Sequence, residues 1–158
     1  MVAQCALTSD DRFAITDLFA RYAWAYDCGD AEEYAAVFTP DGVMAGDVGE
    51  TAVGRDAIRA EIGKFFQMRG AATWQHFNDH LKVEGNGNGD GCTVYSYWAV
   101  LKGSHAAGSL LEQREHGVGS QGYYVSRCVK IDGQWYCKER TWHFDMPRAL
   151  PWKMVPNC

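Results

Sequence analysis

The chain has no surplus of positive charge: 15 Lys and Arg stand against 20 Asp and Glu, for a formal net charge of −5. That balance supplies no attractive field for phosphates or anionic lipid, so nucleic acid and membrane surfaces are not expected partners. No C-x-x-C pair occurs. The six cysteines, Cys5, Cys28, Cys92, Cys128, Cys137 and Cys158, are too dispersed for a disulfide scaffold and read as reduced thiols. Apolar runs fall well short of the ~18 residues that a membrane span needs. The opening MVAQCALTSDDR has neither the basic start nor the apolar stretch of a secretory leader, so a cytoplasmic protein is the expectation. Proline is scarce, and three of the four (Pro147, Pro151, Pro156) fall in a tail without helix or strand pattern. Residues 1–158 are expected to form a single domain, with 146–158 as a C-terminal extension that wraps a neighbouring protomer or covers a cavity mouth.

Aromatic residues are plentiful: six Trp, eight Tyr and seven Phe favour an aromatic-lined cavity. Thr8-Ser9-Asp10-Asp11 is a helix start signal, and Ile15, Leu18, Phe19, Tyr22 and Tyr26 follow at helical spacing. This long helix ends near Cys28-Gly29. Asp30 caps a short helix over Ala31–Val37, which stops before a turn at Phe38-Thr39-Pro40-Asp41-Gly42. A third helix follows Gly54-Arg55-Asp56, with Ile58, Ile62, Phe65 and Phe66 as its apolar stripe. Up to residue 70 the chain reads as mainly helical. Beyond that, strands are expected at about 72–84, 92–103, 117–131 and 134–145, with Asp132-Gly133 as a tight hairpin turn. Helices first and a strand meander afterwards predict an α+β fold, with helices on one face of an antiparallel sheet.

One carboxylate has no structural task in this pattern. Asp27 lies at a helix C-terminus, where the macrodipole disfavours negative charge, and the next helix already has Asp30 as its cap. His76 opens the first long strand, and an imidazole held by a carboxylate is suited to proton transfer near physiological pH. His76 and His80 lie four apart with Asp79 beside them. On a strand that spacing sets them about 13 Å apart, too far to share an ion, so no metal is expected. Tyr22 lies about one helical turn before Asp27, Tyr95 and Tyr97 share a strand face, and Tyr123 and Tyr124 point to opposite faces. A phenol donating to a developing oxyanion would complement the base, and which tyrosine does so is left open. His143 and Asp145 share a face of the last strand as a second possible dyad. His105 and His116 fall in the Gly/Ser-rich stretch Gly103–Ser120, a long loop or ragged strand end that could close over a cavity mouth.

Several segments in order resemble the SnoaL-like branch of the NTF2-like superfamily. They are Asp11–Leu18 with Arg21-Tyr22, Tyr26–Asp30, Phe38–Gly42, Gly54–Ile58, Gln75-His76-Phe77 and Lys130–Trp135, spanning roughly 10–146. The resemblance implies a cone: a curved antiparallel sheet with N-terminal helices packed over it, holding a small, largely apolar molecule. It further implies that His76 and Asp27 are catalytic, and that Tyr22, Tyr26, Tyr95, Tyr97, Tyr124 and His143 contact the substrate. By the same resemblance the chain is a cofactor-independent lyase acting on a small aromatic or polycyclic alcohol. It would work as a dehydratase or a formaldehyde-releasing C–C lyase, with a double-bond isomerase or a dioxygenase small-subunit-like binding protein as alternatives. Partner copies in a dimer or trimer are implied as well. The second active-site histidine of scytalone dehydratases is replaced by the run Trp98–Lys102, and their later Ser and Asn by about Gly122 and Tyr124. The Arg-x-Asp pattern of limonene-epoxide hydrolases is also missing. Scytalone itself and epoxides are thereby disfavoured as substrates.

Overall fold

The computed structural model describes residues 6–70, 72–104 and 115–154. Helix α1 (Ser9–Cys28) begins with a reciprocal cap: Asp11 N–H donates to Thr8 Oγ1 at 3.1 Å, and Thr8 N–H donates to Asp11 Oδ2 at 3.0 Å. Such a cap is worth about 1 kcal/mol. The helix stops at Gly29, whose φ of 76° is the left-handed conformation that glycine adopts without strain. Helix α2 (Ala31–Ala36) is capped by Asp30, which accepts from Glu33 N–H at 2.9 Å. Helix α3 spans Arg55–Arg69.

The sheet has six strands: β1 (Phe38–Gly46), β2 (Ala52–Val53), β3 (Thr73–Gly85), β4 (Gly91–Ser104), β5 (Glu115–Ile131) and β6 (Gln134–His143), in the order β2-β1-β6-β5-β4-β3. Strand β1 corrects the sequence reading, which placed a turn at Phe38–Gly42. Pro40-Asp41-Gly42 instead occupies a break in register between Phe38, opposite Cys137, and Val43, opposite Glu139. Proline and glycine are tolerated there because a bulge needs no ladder hydrogen bond. The β1–β6 pairing is parallel, while the other neighbours are antiparallel. Further register shifts fall between Asp79 and Lys82 on β3, with His80 at φ 55°, and between Val100 and Leu101 on β4. Bulges of this kind bend strands, which gives the sheet its curve.

The core fills the space between the helices and the sheet's inner face. Ile15, Leu18, Tyr34, Phe38, Ile58 and Val94 are all buried. Cys92, Cys128 and Cys137 are free, buried and in register across β4, β5 and β6. Hydrogen bonding from Cys137 pushes the Cys128 thiol up, keeping it protonated. Cys5 and Cys158 lie outside the described residues, as do His105 and the side chain of His116.

The start of α1 is tied to the β5–β6 hairpin through Asp11. Its Oδ1 accepts from Lys130 Nζ at 2.7 Å and from Trp135 Nε1 at 3.0 Å. The bond to Lys130, followed by that to Thr8, holds the Asp11 carboxyl well below the usual carboxylate range. A depressed folded-state value stabilises the fold fully above the unfolded carboxylate's range, and that stability is lost as pH falls through the folded value. Asp11→Asn should therefore cost about 1–2 kcal/mol at neutral pH. Thermal melts at neutral pH and near pH 3 check this, since the deficit should shrink in acid.

Of the two places expected for the C-terminal extension, the cavity mouth is not the one it takes. Pro151–Met154 forms a short helix, α4, and the segment lies on the sheet's outer face rather than over the cavity mouth. The Trp152 ring sits 5.5 Å from Tyr95, and Lys82 Nζ lies over the Trp152 ring. Residues 155–158 are outside the described set.

Candidate active site

Asp27 projects from the last turn of α1 onto β3. Its Oδ2 accepts the backbone N–H of His76 at 2.8 Å, and its Oδ1 lies 2.6 Å from His76 Nδ1. One carboxylate thus fixes both the strand and the imidazole. The His76 side chain is only 6% exposed, so the pair is held away from competing water. With Nδ1–H donated to Asp27, the Nε2 lone pair is left as the proton acceptor. The charge penalty at the helix end is offset by a residue that the sequence reading did not single out. Arg69, at the end of α3, donates from Nη1 to the carbonyls of Tyr26 at 2.9 Å and Asp27 at 3.1 Å. A guanidinium on the last carbonyls neutralises the negative pole of α1 where Asp27 sits.

His76 lines a cavity of about 310 Å³ on the inner face of the sheet. Tyr22, Tyr26, Trp74, Trp98, Tyr124 and Trp142 form much of its wall. The Tyr26 ring lies 4.2 Å from the imidazole and is stacked on Trp74 at 5.9 Å. Burial pushes the Tyr26 phenol up, so it stays a donor. Asp27 stands behind the imidazole and lines a separate outer hollow with Ala23, Trp24 and Gln75, so only the histidine of the pair reaches the inner cavity. Lys102 Nζ lies over the Trp74 ring, 4.5 Å from its centroid, at the cavity wall.

A second polar feature adjoins this wall. Tyr34 Oη lies 3.0 Å from Tyr22 Oη, which lies 3.4 Å from Tyr124 Oη. Behind them is Arg140, fully buried, its guanidinium 3.6 Å from the Tyr124 ring centroid and 4.1 Å from that of Tyr22. Arg140 Nη1 donates to Ser126 Oγ at 2.8 Å, and Nη2 reaches Asn78 Oδ1 at 3.4 Å. Among the described residues it has no carboxylate partner.

Of the sequence-based substrate contacts, Tyr22, Tyr26 and Tyr124 line the inner cavity, whereas Tyr95, Tyr97 and His143 do not. Tyr95 and Tyr97 do share a face, but it is the outer one. Cross-strand partners lie on the same side, and His76 pairs with Val100, which puts Trp98 and Val100 inside and Tyr97 outside. His143 pairs with Asp47 rather than Asp145, its Nδ1 3.0 Å from Asp47 Oδ1, and stacks on Tyr123. Bonding from Phe144 N–H, and then from His143, lowers the Asp47 carboxyl. His80 is largely exposed, well apart from buried His76. Among the described residues no three His, Cys, Asp or Glu side chains converge on a possible metal position.

Residues 8–141 match the family described as a SnoaL-like domain. The chain belongs to the SnoaL-like family. This family, within the NTF2-like superfamily, includes polyketide cyclases and dehydratases. The SnoaL-like chain is 28% identical to a variant of Rv3472, a protein of unknown function from Mycobacterium tuberculosis, over 93% of this chain and 78% of that one, with a TM-score of 0.71. An NTF2-like protein with a cystatin-like fold from Novosphingobium aromaticivorans is 25% identical, covering 85% and 82% of the two chains at a TM-score of 0.67. A protein from the same organism, provisionally named a scytalone dehydratase, is 25% identical over 86% and 85% at a TM-score of 0.66. No curated protein matches the chain. No helix among the described residues is long and apolar enough to cross a membrane.

Proposed function

We propose that this SnoaL-like protein is a cofactor-independent lyase that removes water from a small aromatic or polycyclic alcohol. The observation that carries the reading is the 2.6 Å His76–Asp27 contact, with the imidazole on the wall of an apolar cavity of about 310 Å³. That volume falls at the small end of ligand pockets, where a few polar groups set orientation within an apolar lining. His76 Nε2 takes a proton from the carbon next to an activating carbonyl or ring, and the C–H electron pair becomes the new double bond. The C–O bond of the neighbouring alcohol breaks, and the hydroxyl leaves as water with the proton that His76 returns. Asp27 holds the productive tautomer and compensates the transient imidazolium charge. An open cavity with an imidazole at its wall supports catalysis over a purely structural role, for which a filled cone would suffice.

The same acid–base pair can move a double bond, so the test must separate outcomes. Hydroxylated tetralones and related aromatic β-hydroxy ketones are incubated with the protein, and products are read by mass spectrometry. Loss of about 18 mass units supports dehydration. An unchanged mass with a shifted absorbance identifies isomerisation. Release of formaldehyde identifies C–C cleavage, and no turnover of any of them overturns the enzyme reading. A homo-oligomer completes the proposal, with exposed Phe77 and Tyr97 on the outer sheet face as candidate contacts, and light scattering reads its mass.

A further inference from the structure

We propose that Arg140 and the Tyr34–Tyr22–Tyr124 hydroxyls form an oxyanion-binding wall, so that the compound taken up presents a carbonyl or phenol oxygen that bears negative charge during reaction. This deepens the proposed function and rests on its reading of the inner cavity as the reaction site. The first observation is the relay itself. Tyr34 Oη contacts both Tyr22 Oη at 3.0 Å and Met44 Sδ at 3.3 Å, and Tyr22 Oη contacts Tyr124 Oη. Each hydroxyl has one proton, so the chain has two consistent directions. Run toward the sulfur, Tyr124 donates to Tyr22, Tyr22 to Tyr34, and Tyr34 to Met44 Sδ. Run the other way, Tyr34 donates to Tyr22 and Tyr22 to Tyr124, which frees the Tyr124 proton for an acceptor in the cavity. Thioether sulfur is a weak acceptor, so an oxygen beside Tyr124 reverses the relay at little cost, and linked hydroxyls strengthen one another.

The second observation is the cation. Arg140 has its charge against the faces of Tyr22, Tyr124 and Phe19, and its Nε has no acceptor among the described residues. A buried cation beside a phenol polarises the O–H and favours negative charge at whatever oxygen it contacts. Burial keeps the Tyr34 and Tyr124 phenols protonated, as hydrogen-bond donors must be. Arg140 does not itself line the cavity and is thus a positioning residue that acts through Tyr124 and Tyr22. The other ionisable groups on this wall are His76, Lys102 and Tyr26.

The test is the ionisation of bound para-nitrophenol, whose phenolate absorbs visible light and whose neutral form does not. Bound to the wild-type protein, its ionisation midpoint should fall by about one pH unit or more, a roughly tenfold preference for the anion. Tyr124→Phe and Arg140→Met should each restore the free-solution midpoint, while His76→Ala and Lys102→Met keep the shift. A wild-type midpoint at or above the free value overturns the proposal, as does absence of binding at millimolar probe. Loss of the shift in His76→Ala or Lys102→Met overturns it too, because the anion would then be held by those groups. Should Arg140→Met fail to fold, the wild-type and Tyr124→Phe titrations decide. Since the probe requires no turnover, this result stands or falls separately from the dyad's catalytic role.

Discussion

Asp27→Asn is expected to lower kcat by about 10²–10⁴-fold on any alcohol that the wild type dehydrates, with little change in melting temperature. The carboxylate has two bonds to make, to the backbone N–H of His76 at 2.8 Å and to Nδ1 at 2.6 Å. An asparagine oxygen can keep the first. Its NH₂ then faces Nδ1 and donates to it, which leaves the proton on Nε2 and removes the lone pair from the cavity side. The fold survives while the base is lost. Alanine at the same position loses both bonds and strands a backbone donor, so Asp27→Ala should also cost about 1–3 kcal/mol of stability. His76→Ala should match the asparagine variant in rate, and the double variant should be no slower than either single one, because residues that act as a unit are not additive. Steady-state rates with parallel thermal melts make the comparison. Asparagine activity within about threefold of wild type would remove Asp27 from the mechanism.

The Asp27–His76 pair was legible in the sequence on two different grounds, a carboxylate without a structural task and the resemblance of Gln75-His76 to the segment that opens the first long strand in SnoaL-like dehydratases. Asp27 is surplus to capping at a helix end, and His76 opens a strand. Helices α1 and α2 were legible for the complementary reason. Thr8, Asp11, Gly29 and Asp30 are cap residues whose preference is local, and the structure seats them as caps. The Asp132-Gly133 turn is similar, with φ of 50° and 82° at the two positions. Strand β1 was hidden because its pairing is with β6, about a hundred residues away, while Pro40-Asp41-Gly42 carries a strong local turn signal. The half-buried guanidinium of Arg55 reinforces that segment by donating to the Phe38 carbonyl from Nε at 2.8 Å. The faces of Tyr95 and Tyr97 were hidden by register, since aromatic residues line both sides of β4 and alternation alone does not say which side is inner. His143 was misread because its partner, Asp47, comes from the loop after β1 rather than from its own strand. Arg69 and Arg140 went unnoticed because arginine is normally a surface residue, and nothing in sequence spacing announces the carbonyls or rings that receive them.

Arg140→Met should leave the protein as stable as the wild type or more so, by up to ~1–4 kcal/mol, whereas Arg140→Ala should lose about 3–5 kcal/mol. The two variants remove the same charge and differ only in the volume left behind. Arg140 is wholly buried, packed on the rings of Phe19, Tyr22 and Tyr124, and an alanine there opens a void beneath all three. Methionine fills much of the same path with an unbranched, adaptable chain. It also relieves the desolvation of a cation that has Ser126 and Asn78 as hydrogen-bond acceptors but no carboxylate among the described residues. Urea unfolding with matched m-values measures both differences. If methionine is as damaging as alanine, the bonds to Ser126 and Asn78 outweigh desolvation, and Arg140 is explained by stability alone. If methionine is tolerated, the charge is not there for the fold. A stable variant that no longer favours a bound anion would then identify the cation as one that the fold carries at a cost in stability, in return for its effect on the cavity.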